Sequence, residues 1–167
     1  VYKRQHLLAQ AVTQLYPDAK PTIGPPVEHG FYYDFAMDPI GDEELRQIEK
    51  RMKELVKQNI PIEREELDNE SLREIFSSNP FKLEIMSDKI GHDVGSSAYR
   101  QGDFIDLCKG PHVSLTSQLR WFKLTSTSQA YWRAEKDRES LVRIYGMCYP
   151  SKEALKLSLI HISEPTR

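Results

Sequence analysis

The chain has 167 residues, of which 39% are apolar and 29% are charged, a composition typical of a folded globular protein. Its 23 lysines and arginines nearly balance 25 aspartates and glutamates, and the net charge of −2 excludes a strongly basic nucleic-acid-binding arm and an acidic tail. Two cysteines are too few for a disulfide framework and favour a reducing compartment. No apolar run approaches the roughly 18 residues of a membrane span. The sequence does not begin with Met, and we expect it to be an internal piece of a longer protein.

The first half of the sequence predicts mainly helices. Apolar residues at helical spacing predict a helix from His6 to Tyr16. The aromatic run Phe31–Phe35 predicts a strand. The clearest helix is predicted from Asp42 to Asn59, with Asp42 as its N-cap.

The rest of the chain favours strands. Residues 61–66 alternate like a strand, Asp68 is predicted to cap a short helix that ends at Phe76, and residues 81–88 fit a helix or a strand. Five further apolar or aromatic runs predict strands, at 99–101, 104–108, 121–124, 129–132 and 141–147. Helices followed by strands with short connections predict an α+β fold with a mostly antiparallel sheet.

The end of the chain predicts one more helix and an unrelated tail. Ser151 is predicted to cap the helix. Residues 157–167 do not continue its pattern and resemble a translated sequencing adapter, so we assign them no function and leave His161 out of every candidate site.

The densest group of chemically active residues lies at 102–112. On a strand, Asp106 and Cys108 point to the same face, and the Gly-Pro turn that follows can bring His112 back towards Cys108. The arrangement fits a zinc site with a third ligand such as His6, a Cys/His nucleophilic pair, or a hydrolytic site in which Cys108 only lines the pocket. A buried cysteine beside a hydrogen-bonded turn histidine fits it too, and the C-x₃-H spacing alone favours that interpretation.

Other candidates carry little local signal. Lys82 alone is typical of a solvated surface charge, and His6 alone of a polar residue at a helix start. Tyr131, Trp132 and Arg133 could stack on bases and neutralise phosphates, although half-exposed strand residues give the same pattern.

Several segments taken together resemble one family. They lie in chain order at residues 16–25, 30–35, 48–56, 106–112, 130–133 and 143–146. From His6 to about Leu155 the chain is similar to the editing domain, or second additional domain, of bacterial-type threonyl-tRNA synthetases. The resemblance implies that residues 6–155 form an α+β domain of the threonyl/alanyl-tRNA synthetase editing type, with residues 1–5 and 157–167 outside the family pattern.

The resemblance also implies a proofreading function. The parent enzyme joins threonine to tRNA(Thr), and this domain is expected to hydrolyse mischarged Ser-tRNA(Thr). One methyl group discriminates by only ~1–3 kcal/mol in a single binding step, so a second pocket that admits serine and excludes threonine supplies the remaining selectivity. The implied partners are tRNA(Thr) and the 3′ end of seryl-tRNA. The parent is expected to be a cytoplasmic homodimer through domains absent here, with ATP and zinc in its synthetic domain and no cofactor in this segment.

The resemblance assigns catalytic residues by position. His6 matches the second histidine of an H-x₃-H motif, and Cys108 and His112 match a C-x₃-H motif on the other side of the cleft. Lys82 matches a catalytic lysine, and Asp106 matches a carboxylate beside the cysteine.

Three more positions bear on specificity and metal binding. Gly24 and Tyr33 match positions of the serine pocket. Tyr2 stands where the first histidine of H-x₃-H belongs. Related alanyl-type domains hold zinc with four such ligands, and with three of them present here we expect no bound metal.

Two alternative functions stay open. One is a non-catalytic tRNA-binding module, which the tyrosine at position 2 favours. The other is an alanyl-type or freestanding deacylase that acts on mischarged tRNA.

Overall fold

A computed structural model describes residues 4–24, 26–28, 30–89, 97–107 and 115–163. The helices are α1 (Arg4–Leu15), α2 (Asp42–Lys57), α3 (Asn69–Ile75), α4 (Pro80–Lys89) and α5 (Lys152–Ser163). The strands are β1 (Lys20–Pro21), β2 (Pro26–Val27), β3 (Gly30–Ala36), β4 (Ile62–Glu66), β5 (Ser97–Gln101), β6 (Phe104–Leu107), β7 (Phe122–Tyr131) and β8 (Ser140–Cys148). The predicted α+β class is confirmed.

The larger sheet is antiparallel and has the order β1-β3-β8-β7, with β2 also paired to β3. β7 is one ten-residue strand, whereas the sequence predicted two short strands. The residues between those predictions are Ser and Thr, which give no apolar alternation but pair with β8 across a register shift between Leu124 and Ser126. The smaller sheet, also antiparallel, has the order β4-β5-β6.

Three hydrophobic clusters form among the described residues, and the two larger ones are cores on these sheets. The main core joins α1 and α2 to the inward face of the larger sheet, where Phe31, Tyr33 and Phe35 of β3 point. The second core joins α3 and α4 to the smaller sheet, around Leu72 and Met86. Because side chains alternate along a strand, Tyr32 and Asp34 of β3 lie on the outward face of the larger sheet.

Of the three helix caps predicted from the sequence, one is wrong and two are confirmed. The N-cap of α2 is Gly41 rather than the predicted Asp42, which is the first helical residue. The Gly41 amide donates to Glu44 Oε2 at 3.1 Å, so the acceptor at this helix start is the Glu44 side chain and not that of Asp42. Asp68 caps α3 as predicted, accepting from the Ser71 amide at 2.7 Å, and Ser151 Oγ accepts from the Ala154 amide at 3.1 Å at the start of α5.

Two segments whose prediction was ambiguous or not helical, residues 81–88 and 157–163, lie in helices. Asn79 Oδ1 accepts from the Phe81 and Lys82 amides at 3.2 and 3.3 Å, which fixes a helix start and explains why the ambiguous stretch becomes α4. The expectation that the tail leaves the helical pattern is wrong for residues 157–163, because α5 continues through them. Leu and Ile tolerate a helix even where, as at 157 and 160, they stay more than half exposed. None of the helices in the described ranges is long and apolar enough to span a membrane.

Candidate functional site

Four side chains from four different elements meet between the two cores. They are His6 of α1, Tyr33 of β3, Lys82 of α4 and Asp106 of β6. Each is at most 6% exposed. Buried ionisable groups in such number are rare without a function or a partner, so this cluster is the candidate site.

Asp106 is the centre of the cluster. Its Oδ1 accepts from Lys82 Nζ at 2.5 Å and from the Leu107 amide at 2.8 Å. Its Oδ2 accepts from the Tyr33 hydroxyl at 2.5 Å and lies 3.1 Å from His6 Nδ1. Because an ionised carboxylate only accepts hydrogen bonds, Nδ1 must carry the proton in this contact. The carboxylate therefore holds an ammonium, a phenol and an imidazole in fixed positions.

The ionisation of Asp106 follows from its neighbours. Burial alone would raise the pKa of this carboxyl, but the Lys82 ammonium and the hydrogen bond from His6 outweigh it and hold the pKa well below its usual range. Asp106 is therefore charged at neutral pH and balances the charge of Lys82.

The neighbouring elements hold the site in place through polar contacts. Asn79 caps α4 and donates to the Pro21 carbonyl at 2.8 Å, so the start of α4, which carries Lys82, is tied to β1. Gln101 of β5 donates to the His6 carbonyl at 3.2 Å and to Gln10 Oε1 at 2.7 Å, and Gln10 donates back to the Gln101 carbonyl at 3.1 Å. These bonds fix α1 against the smaller sheet.

Gly24 lies directly against the ring of Tyr33. A Cβ at Gly24 would come within 2.3 Å of the ring carbon Cδ2, which no real contact permits. Only glycine therefore lets the Tyr33 ring sit where its hydroxyl reaches both Asp106 and Lys82, the latter at 2.9 Å.

The arrangement leaves one strong donor unassigned among the described residues. Of the three N–H bonds of the Lys82 ammonium, one points to Asp106 and one to Tyr33. The third can donate to an oxygen of a bound molecule. A buried cation held by a carboxylate can stabilise negative charge that develops on such an oxygen.

The structure brings together five of the seven residues predicted for catalysis and the serine pocket. His6, Lys82, Asp106 and Tyr33 are in direct contact, and Gly24 packs on Tyr33. The other two, Cys108 and His112, lie outside the described residues, as does Tyr2.

The three residues predicted to contact tRNA occupy a different place. Trp132 is 1% exposed and packs edge-on against Phe81 at 5.1 Å between ring centroids, so its ring serves the fold and is not available for base stacking. Arg133 is exposed and pairs with Glu84 and Asp88. Contact of Tyr131 or Arg133 with tRNA stays a prediction.

Sequence reasoning missed Asn79, Gln10 and Gln101. A signal was present for Gln10, because it lies four residues after His6 and therefore on the same face of α1. Asn79 and Gln101 gave none, since their partners are 58 and 91 residues away in the chain.

Within the described ranges, no three His, Cys, Asp or Glu side chains gather as metal ligands would. Since the two residues of the C-x₃-H motif lie outside those ranges, the expectation of no bound metal stays a prediction.

Comparisons with known proteins show which family the chain resembles. The family model for the threonyl and alanyl tRNA synthetase second additional domain matches residues 97–145, which include Asp106. The chain is 48% identical over 162 residues to a threonine--tRNA ligase of Thermoplasma acidophilum, covering 97% of this chain and 24% of that protein. The ligases of Rubrobacter xylanophilus and Chlamydia trachomatis are each 46% identical over 160 residues, covering 95% of this chain. The chain thus spans about a quarter of the length of the curated relatives it matches.

Proposed function

We propose that this chain, which belongs to the threonyl-tRNA synthetase family, hydrolyses the ester that links a wrongly attached serine to the 3′ end of tRNA(Thr). The observation that carries the proposal is the Asp106-centred cluster, a buried cation and hydrogen-bond donors held by one carboxylate. Joining of threonine to tRNA would belong to the longer protein.

The cluster fits ester hydrolysis. A water oxygen adds to the ester carbonyl carbon, and negative charge develops on the carbonyl oxygen. The remaining N–H of Lys82 is positioned to stabilise this oxyanion. The tetrahedral intermediate then loses the ribose oxygen, which takes up the proton that the attacking water gives up, and serine and free tRNA are released. His6 and His112 would orient the water and the ester, and Cys108 would form a wall of the pocket.

Asp106 and Tyr33 have different roles in this proposal. Asp106 is a positioning residue, because it acts through Lys82 and His6 and its own four hydrogen bonds are already filled. Tyr33, held in place by Gly24, would contribute its hydroxyl to the pocket that accepts the serine side chain.

The test is deacylation of Ser-tRNA(Thr), with Thr-tRNA(Thr) as the specificity control. The chain should release serine faster than threonine, and Lys82→Met should lower the single-turnover rate by about 10²–10³-fold, the usual loss for one oxyanion donor. The matched control is Lys136→Met, which changes an exposed lysine outside the cluster. Full activity of Lys82→Met would remove that residue from the mechanism.

A second candidate, a tRNA-binding module without catalysis, is favoured by the tyrosine at position 2. Tight tRNA binding without deacylation would support it. Tyr2→His restores the H-x₃-H pattern, and a rate that rises in this variant would assign the loss to that position.

The remaining parts of the proposal concern the longer protein. We place it in the cytoplasm as a homodimer whose synthetic site uses ATP and zinc. The partner of the segment described here is tRNA(Thr).

A further inference from the structure

A basic groove lies between the C-terminal end of α2, a 3₁₀ turn at Thr116–Leu119 and the first turns of α5. It has a volume of about 790 Å³. Five cationic side chains and one indole line it, namely Lys53, Lys57, Arg120, Trp121, Lys152 and Lys156. No carboxylate is among the lining residues that the structure describes. Because the whole chain carries a net charge of −2, this concentration of positive charge is a local feature.

The charges in the basic groove are not neutralised by the protein. In the part of the chain that the structure describes, no carboxylate pairs with Lys57, Arg120 or either lysine of α5. Lys53 lies 3.8 Å from Glu49 Oε2, but that carboxylate already binds Lys123 at 2.9 Å. The groove therefore presents an excess positive potential to solvent.

Helix stability does not explain the lysines of α5. Lys152 is the first residue of that helix, where the positive end of the helix dipole repels a cation, and Lys156 lies one turn further on. Lys57, in the last turn of α2, is favourably placed for its own helix. Five cations that line one groove without a carboxylate, one of them at the positive end of a helix dipole, indicate an external anion.

The walls of the basic groove are held rigidly. Thr116 is fully buried; its hydroxyl donates to the Leu55 carbonyl at 2.9 Å and accepts from the Ile60 amide at 2.8 Å, which pins the 3₁₀ turn to the end of α2. The Tyr149 amide donates to the Trp121 carbonyl at 2.9 Å, which ties the indole segment to the chain that leads into α5. A preformed cationic surface loses little entropy when it binds a polyanion.

We propose that the basic groove binds the phosphodiester backbone of RNA, with the half-exposed indole of Trp121 contacting a ribose or base. Several cations beside one aromatic ring form the usual surface for a nucleic-acid strand. The choice of tRNA as the RNA rests on the proposed function. The groove and the Asp106 cluster share no residue, so the two proposals can fail separately.

The test compares two double charge reversals in the intact chain. Lys57→Glu/Arg120→Glu changes the groove, and Arg73→Glu/Lys136→Glu makes the same change in net charge at exposed positions outside it. Filter binding of uncharged tRNA(Thr) is measured between 50 and 200 mM salt. We expect the groove variant to bind roughly tenfold or more weakly and to lower the slope of log K against log salt by about two, because each phosphate contact adds about one to that slope. Equal weakening of both variants overturns the proposal.

Three readouts complete the design. Lys57→Gln/Arg120→Gln removes charge without repulsion, and unchanged tRNA affinity of this folded variant would overturn the proposal. Competition by poly-L-glutamate as strong as by tRNA would assign the groove to an acidic protein and also overturn it. If the chain binds tRNA through the basic groove but does not deacylate Ser-tRNA(Thr), the result would support RNA binding by the groove and refute the proposed hydrolysis.

Discussion

Strand β3 contributes one residue to an acid–cation contact on each face of the larger sheet. On the outward face, Asp34 accepts two parallel hydrogen bonds from Arg143, at 2.8 and 3.0 Å. On the inward face, Tyr33 joins the cluster in which Asp106 holds Lys82 and His6. In the first contact a planar carboxylate binds a planar guanidinium. In the second, one carboxylate accepts hydrogen bonds from an ammonium, a phenol and an imidazole.

The difference separates a structural ion pair from a candidate reaction site. Arg143 lies between neighbouring strands, and its guanidinium also stacks over Tyr32 at 4.5 Å, so the pair ties β3 to β8. The donors around Asp106 come from α1, β3 and α4, which the chain brings together only on folding. The Lys82 ammonium keeps one N–H for a ligand in a buried site, whereas the guanidinium of Arg143 directs two N–H bonds to one carboxylate and its face to Tyr32.

The largest expected effect tests this contrast with one substitution at both sites. Asp106→Asn should lower the single-turnover rate of Ser-tRNA(Thr) deacylation by about 10²–10⁴-fold, because Lys82 and His6 lose their common anchor. Asp34→Asn should leave that rate within a few fold and mainly cost stability, about 1–3 kcal/mol, through weaker bonds to Arg143. Rate and urea unfolding are measured for both variants.

A double variant separates loss of catalysis from loss of folding stability in Asp106→Asn. The single variant leaves a buried ammonium without a counter-charge, at a cost of about 3–5 kcal/mol. Asp106→Asn/Lys82→Met removes both charges and should regain much of that stability while staying inactive. Recovery of deacylation in the double variant would show that neither charge takes part in the reaction.

The next effect in size compares two glycines that pack on aromatic rings of β3. Gly24→Ala drives a methyl group into the Tyr33 ring, and Gly146→Ala drives one into the Phe31 ring, where a Cβ would come within 2.2 Å. Both variants should lose about 1–3 kcal/mol of stability through overpacking. Only Gly24→Ala should lose activity, by about 10²-fold, because only the Tyr33 ring carries a hydroxyl into the cluster.

The readout is the ratio of rates for the two alanine variants at equal folded fraction. Equal losses would mean that the position of the Tyr33 hydroxyl does not matter to the reaction. A loss confined to Gly146→Ala would contradict the role that the proposal gives to the Tyr33 hydroxyl.

The sequence predicted the elements better than the site. The apolar stripe of α2 and the aromatic run of β3 are local signals, and both elements form close to their predicted bounds. His6 and Asp106 are 100 residues apart; Asp106 lies in a dense group of chemically active residues, but His6 carries no local signal that distinguishes it from an ordinary polar residue at a helix start. Resemblance to a family brought them together before the structure did. The cap at Gly41 and the helical tail were missed because they depend on backbone geometry that side-chain patterns do not encode.

The smallest expected effect concerns acid stability. The pKa of Asp106 lies below its ordinary value of 3.8, so the unfolded state binds a proton before the folded state does as the pH falls. Above about pH 5 the contribution of this carboxylate to folding is complete, and below about pH 4 it should fall by up to ~1.4 kcal/mol per pH unit. Asp106→Asn cannot titrate there, so the difference in unfolding free energy between wild type and variant should shrink in the same range. Urea unfolding at pH 3 to 7 measures it, and other carboxylates cancel because both proteins share them. A difference that stays constant down to pH 3 would mean that Lys82 and His6 do not hold the Asp106 carboxylate in its charged form.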